Sequence, residues 1–336
     1  MKIAFFNTTE TDKQFFSHAL KGHAVELIPE PINDDFLPFT HDLEAISVFV
    51  NSQVTQKVID LLPKLRFIAT RSTGFDHIDL AACKKRAIAV SNVPSYGSNT
   101  VAEFTFALIL ELSRKVSGSY NQIRQTGSFS VAQWQGFDLS GKTVGVVGTG
   151  KIGANVVQIA HGFDMQIHCY DPFPNEQLKT QYDATYMTLE QVLETSDIVS
   201  LHVPYIPNKT HHIMNKKAFD RMKPGTYFIN TARGELVDTE ALVEALQSGH
   251  LAGAGLDVLE EESFTQHCEE RLLEIHPNEQ QLKEYLFNHY LIDADNVIIT
   301  PHNAFNTVEA IQRIRQTTLE NIIAFISGKP QNVVSL

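Results

Sequence analysis

The stretch Gly148-Thr149-Gly150-Lys151-Ile152-Gly153 decides the fold, because it separates an apolar run at 143–147 from a periodic apolar run at 152–163. This order predicts a strand, a tight turn and a helix. The first glycine permits the turn, the second lets the backbone approach a pyrophosphate, and the third lets the helix lie close to the strand. The helix N-terminus offers N–H groups and a partial positive charge to phosphates. The stretch therefore predicts a dinucleotide-binding turn.

An acidic residue follows the next predicted strand. The apolar run from Met165 to Tyr170 ends at Asp171, 23 residues after Gly148. A carboxylate at this distance bonds the ribose hydroxyls and would repel a 2′-phosphate, and no arginine follows it closely, so NAD is favoured over NADP. The alternative interpretation is a glycine turn in an ordinary α/β protein, with Asp171-Pro172 opening a loop.

Composition limits the class of protein. At 336 residues, with 43% hydrophobic and 20% charged residues, the chain is globular and long enough for two domains. A net charge of −12 argues against nucleic acid and anionic membranes as partners. An acidic protein that binds an anionic substrate needs a local basic anchor, so a specific arginine is expected.

Cysteine usage and the terminal sequence bear on location. Cys83, Cys169 and Cys268 have neither the spacing of a metal site nor a paired framework, which fits a reducing compartment. We find no signal-peptide pattern at the N-terminus and no apolar run long enough for a membrane helix. A cytoplasmic location is expected.

Strands alternate with helices along the chain, which predicts α/β architecture with two doubly wound parallel sheets. The predicted strands are 2–6, 24–28, 46–50, 66–70, 88–91, 143–147, 166–170, 198–201, 226–230, 253–257 and 297–300. We expect a smaller, flavodoxin-like substrate domain of residues 1–98 plus 302–336 and a Rossmann NAD domain of residues 99–301. The tail at 331–336 is expected to return along the first domain. Thr100, with Glu103 three residues later, or Asn99 is expected to cap the helix after the first crossing.

Three polar residues follow predicted strands in the second half of the chain: Arg233, Glu262 and His302. Ligands of open parallel sheets bind beyond the carboxyl ends of strands, so all three can face one crevice. A guanidinium binds a carboxylate with two parallel hydrogen bonds. A histidine donates a proton near neutral pH, and an adjacent carboxylate orients its ring. These residue types together fit reduction of a 2-oxo acid.

Each residue also has a simpler interpretation. Arg233 could be a surface arginine at a helix start, and His302 could cap a helix or bond a core carbonyl. Glu262 could belong to a solvated acidic loop, in which Glu260 is a rival for its role. Their co-occurrence beside a nucleotide motif favours the functional interpretation.

The chain resembles the D-isomer-specific 2-hydroxyacid dehydrogenases over nearly its whole length. The resemblance is carried by the 148–153 turn, His202-Val203-Pro204, Asn230 to Asp238, Gly255 to Val258 with Glu262, and Thr300-Pro301-His302. It is closest to the D-lactate dehydrogenase branch, through 71–79, 92–96 and His302-Asn303-Ala304-Phe305. The family's spacing of arginine and acid selects Glu262 over Glu260.

The resemblance implies a site and an activity. It implies NADH-dependent reduction of pyruvate to D-lactate, with Arg233, Glu262 and His302 as the catalytic residues, and a homodimer built largely on the nucleotide domains. It implies cofactor binding by Gly148, Thr149, Gly150, Lys151, Ile152, Gly153, Asp171, His202, Val203, Pro204, Thr231, Ala232 and Asp257. It implies substrate binding by Ser72, Thr73, Gly74, Tyr96 and Phe305. No metal is implied. The stretch between Glu262 and His302 is longer than the lactate branch leads us to expect, and the role of residues 263–296 stays open.

Two other functions fit the same residues. One keeps the reaction and changes the substrate to a larger 2-oxo acid, glyoxylate or hydroxypyruvate. The other is an NAD-sensing binding protein similar to transcriptional corepressors of this architecture, which the acidic charge and the intact Arg, Glu and His set disfavour.

Overall fold

The computed structural model describes residues 1–34, 36, 42–260, 262 and 279–335. The chain forms two compact units, one of Met1–Tyr96 with Thr307–Leu336 and the other of Gly97–Asn306. Each unit contains an all-parallel sheet, so the predicted α/β class with two parallel-sheet domains is confirmed. The assignment of a substrate role to one unit and a cofactor role to the other stays a proposal.

The first unit holds a five-stranded sheet in the order β2-β1-β3-β4-β5, which is the flavodoxin-like order. Its strands are β1 (Lys2–Phe5), β2 (Ala24–Leu27), β3 (Ala45–Val48), β4 (Phe67–Thr70) and β5 (Ala89–Ser91). Its helices are α1 (Glu10–Ala19), α2 (Gln56–Leu61), α3 (Leu80–Lys85) and α12 (Val308–Ile326). Every residue of β3 and β4 is buried, as expected for central strands covered on both faces.

The C-terminal residues complete the first unit. The ring of Phe325 on α12 stacks on Phe67 of β4 at 4.3 Å between centroids. The Val334 amide donates to the carbonyl of Val90 at 2.8 Å, and Val334 is buried in the core of the unit. The expected return of the tail along the first domain is therefore confirmed over the part described.

The second unit holds a seven-stranded sheet in the order β12-β11-β10-β9-β6-β7-β8. Its strands are β6 (Thr143–Val147), β7 (Gln166–Tyr170), β8 (Thr185–Tyr186), β9 (Ile198–Leu201), β10 (Thr226–Asn230), β11 (Leu251–Leu256) and β12 (Val297–Ile299). Its helices are α4 (Ser98–Arg114), α5 (Val116–Thr126), α6 (Lys151–Gly162), α7 (Glu176–Tyr182), α8 (Leu189–Thr195), α9 (Lys216–Arg221), α10 (Thr239–Gln247) and α11 (Glu279–Asp293).

This strand order is that of a Rossmann fold with one further strand. The chain runs outward from β6 through β7 to β8, then crosses back to β9 on the other side of β6. The reversal between β6 and β9 creates the crevice in which such sheets bind ligands, at the carboxyl ends of the strands. The glycine turn at 148–153 follows β6 and therefore lies at this point.

Several local predictions differ from the structure. Helix α4 begins at Ser98 with Gly97 as its N-cap and no side-chain capping bond, so the predicted cap at Thr100 or Asn99 is wrong. Thr100 is buried inside the first turn, because the helix starts earlier than its apolar pattern. Strand β8 was not predicted, since it has only two residues. Of residues 263–296, the structure describes only 279–296, and α11 is a helix there.

Within the described ranges, we find no helix long and apolar enough to cross a membrane. The thiols of Cys83 and Cys169 are free and buried. Cys268 lies outside the described residues.

Candidate active site

The glycine turn after β6 has the shape that its sequence predicts. Gly148 adopts φ +96°, which L side chains rarely adopt. A Cβ at Gly153 would overlap the carbonyl oxygen of Gly148, so only glycine lets α6 start this close to β6. A Cβ at Gly150 would meet open space instead. The turn is therefore closely packed on its inner side and open at Gly150, where the first amides of α6 are available to a pyrophosphate.

Asp171 lies directly beyond β7 and bonds the glycine turn. Its Oδ2 accepts hydrogen bonds from the amide of Thr149 at 2.7 Å and from the Thr149 hydroxyl at 3.2 Å. Its Oδ1 accepts from the amide of Phe173 at 2.8 Å, and the Tyr186 hydroxyl donates to Thr149 Oγ1 at 2.8 Å. The carboxylate is thus held beside the turn, as a ribose-binding acid requires. Lys151 and Ile152 open α6 immediately after it.

The His202-Val203-Pro204 segment follows β9 and borders the same turn. A Cβ at Gly148 would lie 2.8 Å from the carbonyl of His202 and from Cγ1 of Val203. The His202 ring points back to Ser200, with Nε2 at 2.9 Å from Oγ. Burial lowers the pKa of His202 to about 3, so the ring is neutral. The segment therefore places the His202 carbonyl and Val203 against Gly148, and the His202 ring carries no positive charge there.

A side chain on β10 shapes the segment that carries Arg233. The buried Asn230 accepts from the amide of Ala232 at 3.0 Å and donates to the carbonyl of Arg233 at 2.8 Å. Arg233 is half-buried in an extended conformation. A Cβ at Gly234 would overlap the carbonyl of Leu259, so glycine is needed where this segment touches the one after β11. The sequence analysis assigned no separate role to Asn230. A polar residue at the end of a buried strand is the feature that could have predicted its bonds to the following segment.

Thr231 and Ala232 begin this segment. The Thr231 hydroxyl lies 3.0 Å from the hydroxyl of Thr105 on α4, and both residues are buried. Ala232 is half-buried. Thr231 and Ala232 therefore form a short, largely buried connection between Asn230 and Arg233.

Asp257 organises the segment that carries His302. Its carboxylate accepts from the Thr300 hydroxyl at 2.5 Å and from the amides of Asn303 and Ala304 at 2.8 Å each. The amide of His302 donates to the Asp257 carbonyl at 2.9 Å, which helps to hold His302 at φ +51°. Burial raises the pKa of Asp257, although these hydrogen bonds oppose the effect. The expected contact of Asp257 with a nicotinamide stays a prediction, whereas its bonds to 300–304 show a positioning role.

The structure brings Glu262 and His302 together. Glu262 Oε2 lies 3.2 Å from His302 Nδ1, and Glu262 Oε1 accepts from the amide of Leu259 at 3.0 Å. Glu260, the rival acid, is bonded to His212 instead, with Oε1 at 2.8 Å from Nε2. The family spacing that selected Glu262 thus agrees with the geometry.

Three candidate site residues follow three neighbouring strands at the carboxyl edge of the seven-stranded sheet. β10, β11 and β12 run parallel in register, with Asn230 beside Leu256 and Leu256 beside Ile299. Neighbouring strands lie about 4.8 Å apart. Arg233, Asp257 and His302 follow these partners within three residues, so all three emerge at the carboxyl edge. The guanidinium, the imidazole and the glycine turn therefore all lie at the carboxyl edge of the same sheet.

The predicted substrate residues fall into both units. In the first unit, the buried Ser72 donates to the carbonyl of Gly74 at 2.6 Å, and the Thr73 hydroxyl donates to the Val93 carbonyl at 2.8 Å. The carbonyl of Tyr96 accepts from Arg313 at 2.5 Å. Phe305, in the second unit, is half-buried three residues after His302. Their contacts with a substrate stay a prediction.

Comparison with known proteins agrees with this geometry. Residues 106–304 match the family model of the D-isomer specific 2-hydroxyacid dehydrogenase NAD binding domain. The chain belongs to the D-isomer specific 2-hydroxyacid dehydrogenases. It is 33% identical to D-lactate dehydrogenase of Escherichia coli K12 over 333 residues, covering 98% of each chain. It is 36% identical to glyoxylate reductase of Korarchaeum cryptofilum over 344 residues, covering 100% of this chain and 96% of that protein.

A solved relative agrees in fold. The D-lactate dehydrogenase of Aquifex aeolicus, in a complex with NAD and lactic acid, superposes with a TM-score of 0.88 at 37% identity, covering 98% of this chain and 96% of that one. The predicted family and the predicted NAD cofactor are therefore confirmed. The open face at Gly150 and the carboxylate of Asp171 fit this cofactor, and the chain is an NAD-dependent D-2-hydroxyacid dehydrogenase.

Proposed function

We propose that this dehydrogenase reduces pyruvate to D-lactate, reversibly, with NADH. The observation that carries the proposal is the pairing of His302 with Glu262 at 3.2 Å, at the sheet edge that also presents Arg233. An anion anchor and an oriented proton donor are the two groups that reduction of a 2-oxo acid requires from the protein.

The side chains would divide the work as follows. Arg233 binds the substrate carboxylate through its planar pair of N–H groups. Glu262 occupies Nδ1 of His302, which leaves Nε2 to donate a proton to the substrate oxygen. NADH, when bound along 148–153 and Asp171, supplies the hydride. The residues that would line the cofactor are Thr231, Ala232, Asp257, His202, Val203 and Pro204.

The first unit would contribute the remaining substrate contacts. We assign to Ser72, Thr73 and Gly74 backbone donors for the substrate carboxylate, and to Tyr96 a place beside it. The buried Ser72 and its bond to Gly74 O give this loop a fixed backbone, as a preformed anion site requires. In this assignment Met1–Tyr96 with Thr307–Leu336 is the substrate domain, and Gly97–Asn306 is the NAD domain.

Phe305 favours pyruvate as the substrate. A half-buried aromatic ring three residues after His302 would restrict the space for the 2-oxo acid side chain and suit a methyl group. Glyoxylate, which is smaller still, is the second candidate, supported by the glyoxylate reductase relatives of similar identity and coverage.

Steady-state assays distinguish these substrates. NADH oxidation would be followed with pyruvate, glyoxylate, hydroxypyruvate and a branched-chain 2-oxo acid, and the pyruvate product separated on a chiral column. We expect the highest kcat/KM with pyruvate and only D-lactate as its product. A higher kcat/KM with glyoxylate, or L-lactate as product, would reject the proposal.

We also propose that the protein is a homodimer formed through the Gly97–Asn306 unit. Large apolar side chains are exposed on α5 and just after it: Val116, Tyr120, Ile123, Phe129 and Val131, the last two 80% exposed. Apolar surface of this kind is typical of an interface between subunits. Light scattering should give twice the 37.6 kDa chain mass, and Phe129→Asp with Val131→Asp should give monomers.

A further inference from the structure

A second cluster of ionisable side chains lies in the Gly97–Asn306 unit, apart from the His302–Glu262 pair. One ring nitrogen of His211, one of His212 and one carboxylate oxygen of Glu260 lie within 4.8 Å of one another. Zn²⁺ binds such ligands at about 2.0–2.2 Å, in tetrahedral sites that tolerate a water ligand. We propose that His211, His212 and Glu260 bind a divalent transition-metal ion of the zinc class, with water completing the coordination.

The tautomer of His211 suits a metal ligand. Its Nδ1 lies 3.2 Å from the carbonyl oxygen of Glu235. A carbonyl only accepts, so Nδ1 carries the proton and Nε2 keeps its lone pair. Metal-binding histidines are usually oriented in this way, by donating the other ring N–H to a backbone carbonyl or carboxylate. The ring also stacks on His212 at 3.9 Å between centroids, which holds the two imidazoles side by side.

Glu260 supplies a fixed and largely buried carboxylate. Its side chain is 11% exposed, with Oε1 at 2.8 Å from His212 Nε2 and Oε2 accepting from the Thr239 hydroxyl at 3.2 Å. A cation bound here would neutralise the charge of this buried carboxylate. Because the lone pairs of two stacked rings run nearly parallel, its binding would require one imidazole to rotate out of the stack.

The ion would join two segments that support the active site. The amides of His212 and Met214 donate to the carbonyls of Glu235 and Leu236 at 3.0 Å each, just after Arg233. Glu260 belongs to the segment that ends in Glu262. A metal ion would therefore cross-link the residues after β11 to those beside Arg233 and stabilise the folded unit by mass action.

Direct metal binding tests the proposal. Full-length protein treated with a chelator would be titrated with ZnCl₂ by calorimetry and with CoCl₂ by visible absorption. We expect one site per chain in the wild type with a tetrahedral Co²⁺ spectrum. His211→Ala and Glu260→Gln should each weaken binding by about 10-fold or more. Zinc should raise the melting temperature of the wild type more than that of either variant.

Two controls locate the ion. His302→Ala should keep the affinity, because His302 and Glu262 form a separate pair. A double variant, His267→Ala with Cys268→Ala, should also keep it, although these residues follow Glu260 in the sequence and carry metal-binding side chains. Loss of binding in either control, no binding by the wild type, or unchanged affinity in both His211→Ala and Glu260→Gln would overturn the proposal. None of these readouts uses pyruvate or NADH, so they are independent of the proposed reaction.

Discussion

His302 Nδ1 lies 3.2 Å from Glu262 Oε2, although 40 residues separate the two in the chain. The second oxygen of Glu262 is held by the amide of Leu259, so the carboxylate has a fixed orientation. The amide of His302 is held in turn by the carbonyl of Asp257. Ring and acid are thus both held by the backbone of residues 257–259, directly after β11.

Replacing His302 by alanine should remove the proton donor. We expect turnover with pyruvate to fall by about 10²–10⁴-fold, the usual contribution of a positioned acid or base. NADH binding, followed by fluorescence, should change little. His18→Ala, at an exposed position on α1, is the matched control. Full activity of His302→Ala would show that another group donates the proton.

Arg233→Lys tests the carboxylate anchor. An ammonium keeps the charge but cannot form the planar pair of bonds, so the KM for pyruvate should rise by about 10–100-fold. Arg221→Lys is the control, since Arg221 is an exposed arginine bonded to Glu194 at 3.1 Å. A KM for pyruvate equal to that of the wild type would remove Arg233 from the binding site.

Asp171→Ser tests the choice of cofactor. The variant loses the acceptor for the ribose hydroxyls and the charge that repels a 2′-phosphate, so the KM for NADH should rise by about 10–100-fold while that for NADPH falls or stays constant. Glu176→Gln, in the exposed Lys179 pair on α7, is the control. An unaltered ratio of NADH to NADPH efficiency would contradict the assignment.

Asp257→Asn tests the support of the His302 segment. An amide cannot accept all three hydrogen bonds that Thr300, Asn303 and Ala304 donate, so a buried donor loses its partner at a cost of about 1–3 kcal/mol. We expect a lower melting temperature together with lower turnover. Wild-type values for both would show that the bonds do not position His302.

His202 should make stability depend on pH. Its folded pKa of about 3 is below the unfolded value of about 6.5, so the unfolded chain binds more protons between these values. The free energy of unfolding should therefore fall as the pH falls below about 6.5. His202→Asn should reduce this slope in urea titrations, whereas His161→Asn on the exposed side of α6 should keep it. Equal slopes in the wild type and His202→Asn would contradict the prediction.

The sequence predicted the sheet strands and the glycine turn because their signals are local. Buried strands such as β3 and β9 are apolar except for one serine each. Gly153 is required by the carbonyl of Gly148, only five residues away. The two-residue β8 carries too few residues for such a pattern. Helix α5 has no buried residues, so its sequence lacks the buried apolar face by which a helix is predicted.

The candidate site residues could be proposed from the sequence, whereas the residues that hold them in place could not. Arg233, Glu262 and His302 are polar residues that follow strands, and their family spacing is distinctive. The bonds from Asp257 to the amides of Asn303 and Ala304 span 46 and 47 residues, so no spacing rule points to them. The same holds for His212 and Glu260, whose contact joins residues 48 apart. From the sequence, Glu260 is only a rival of Glu262 for the place beside His302, whereas in the structure it contacts His212.

The first unit contains residues from near both ends of the sequence, and this affects when it can fold during synthesis. Domains generally fold as units during synthesis, starting from the N-terminus. Here Phe325 and Val334, which pack on β4 and bond β5, emerge only after all of Gly97–Asn306 has been made. The Rossmann unit can therefore fold first. The N-terminal sheet stays partly exposed until residues 307–336 have been synthesised and can pack on it.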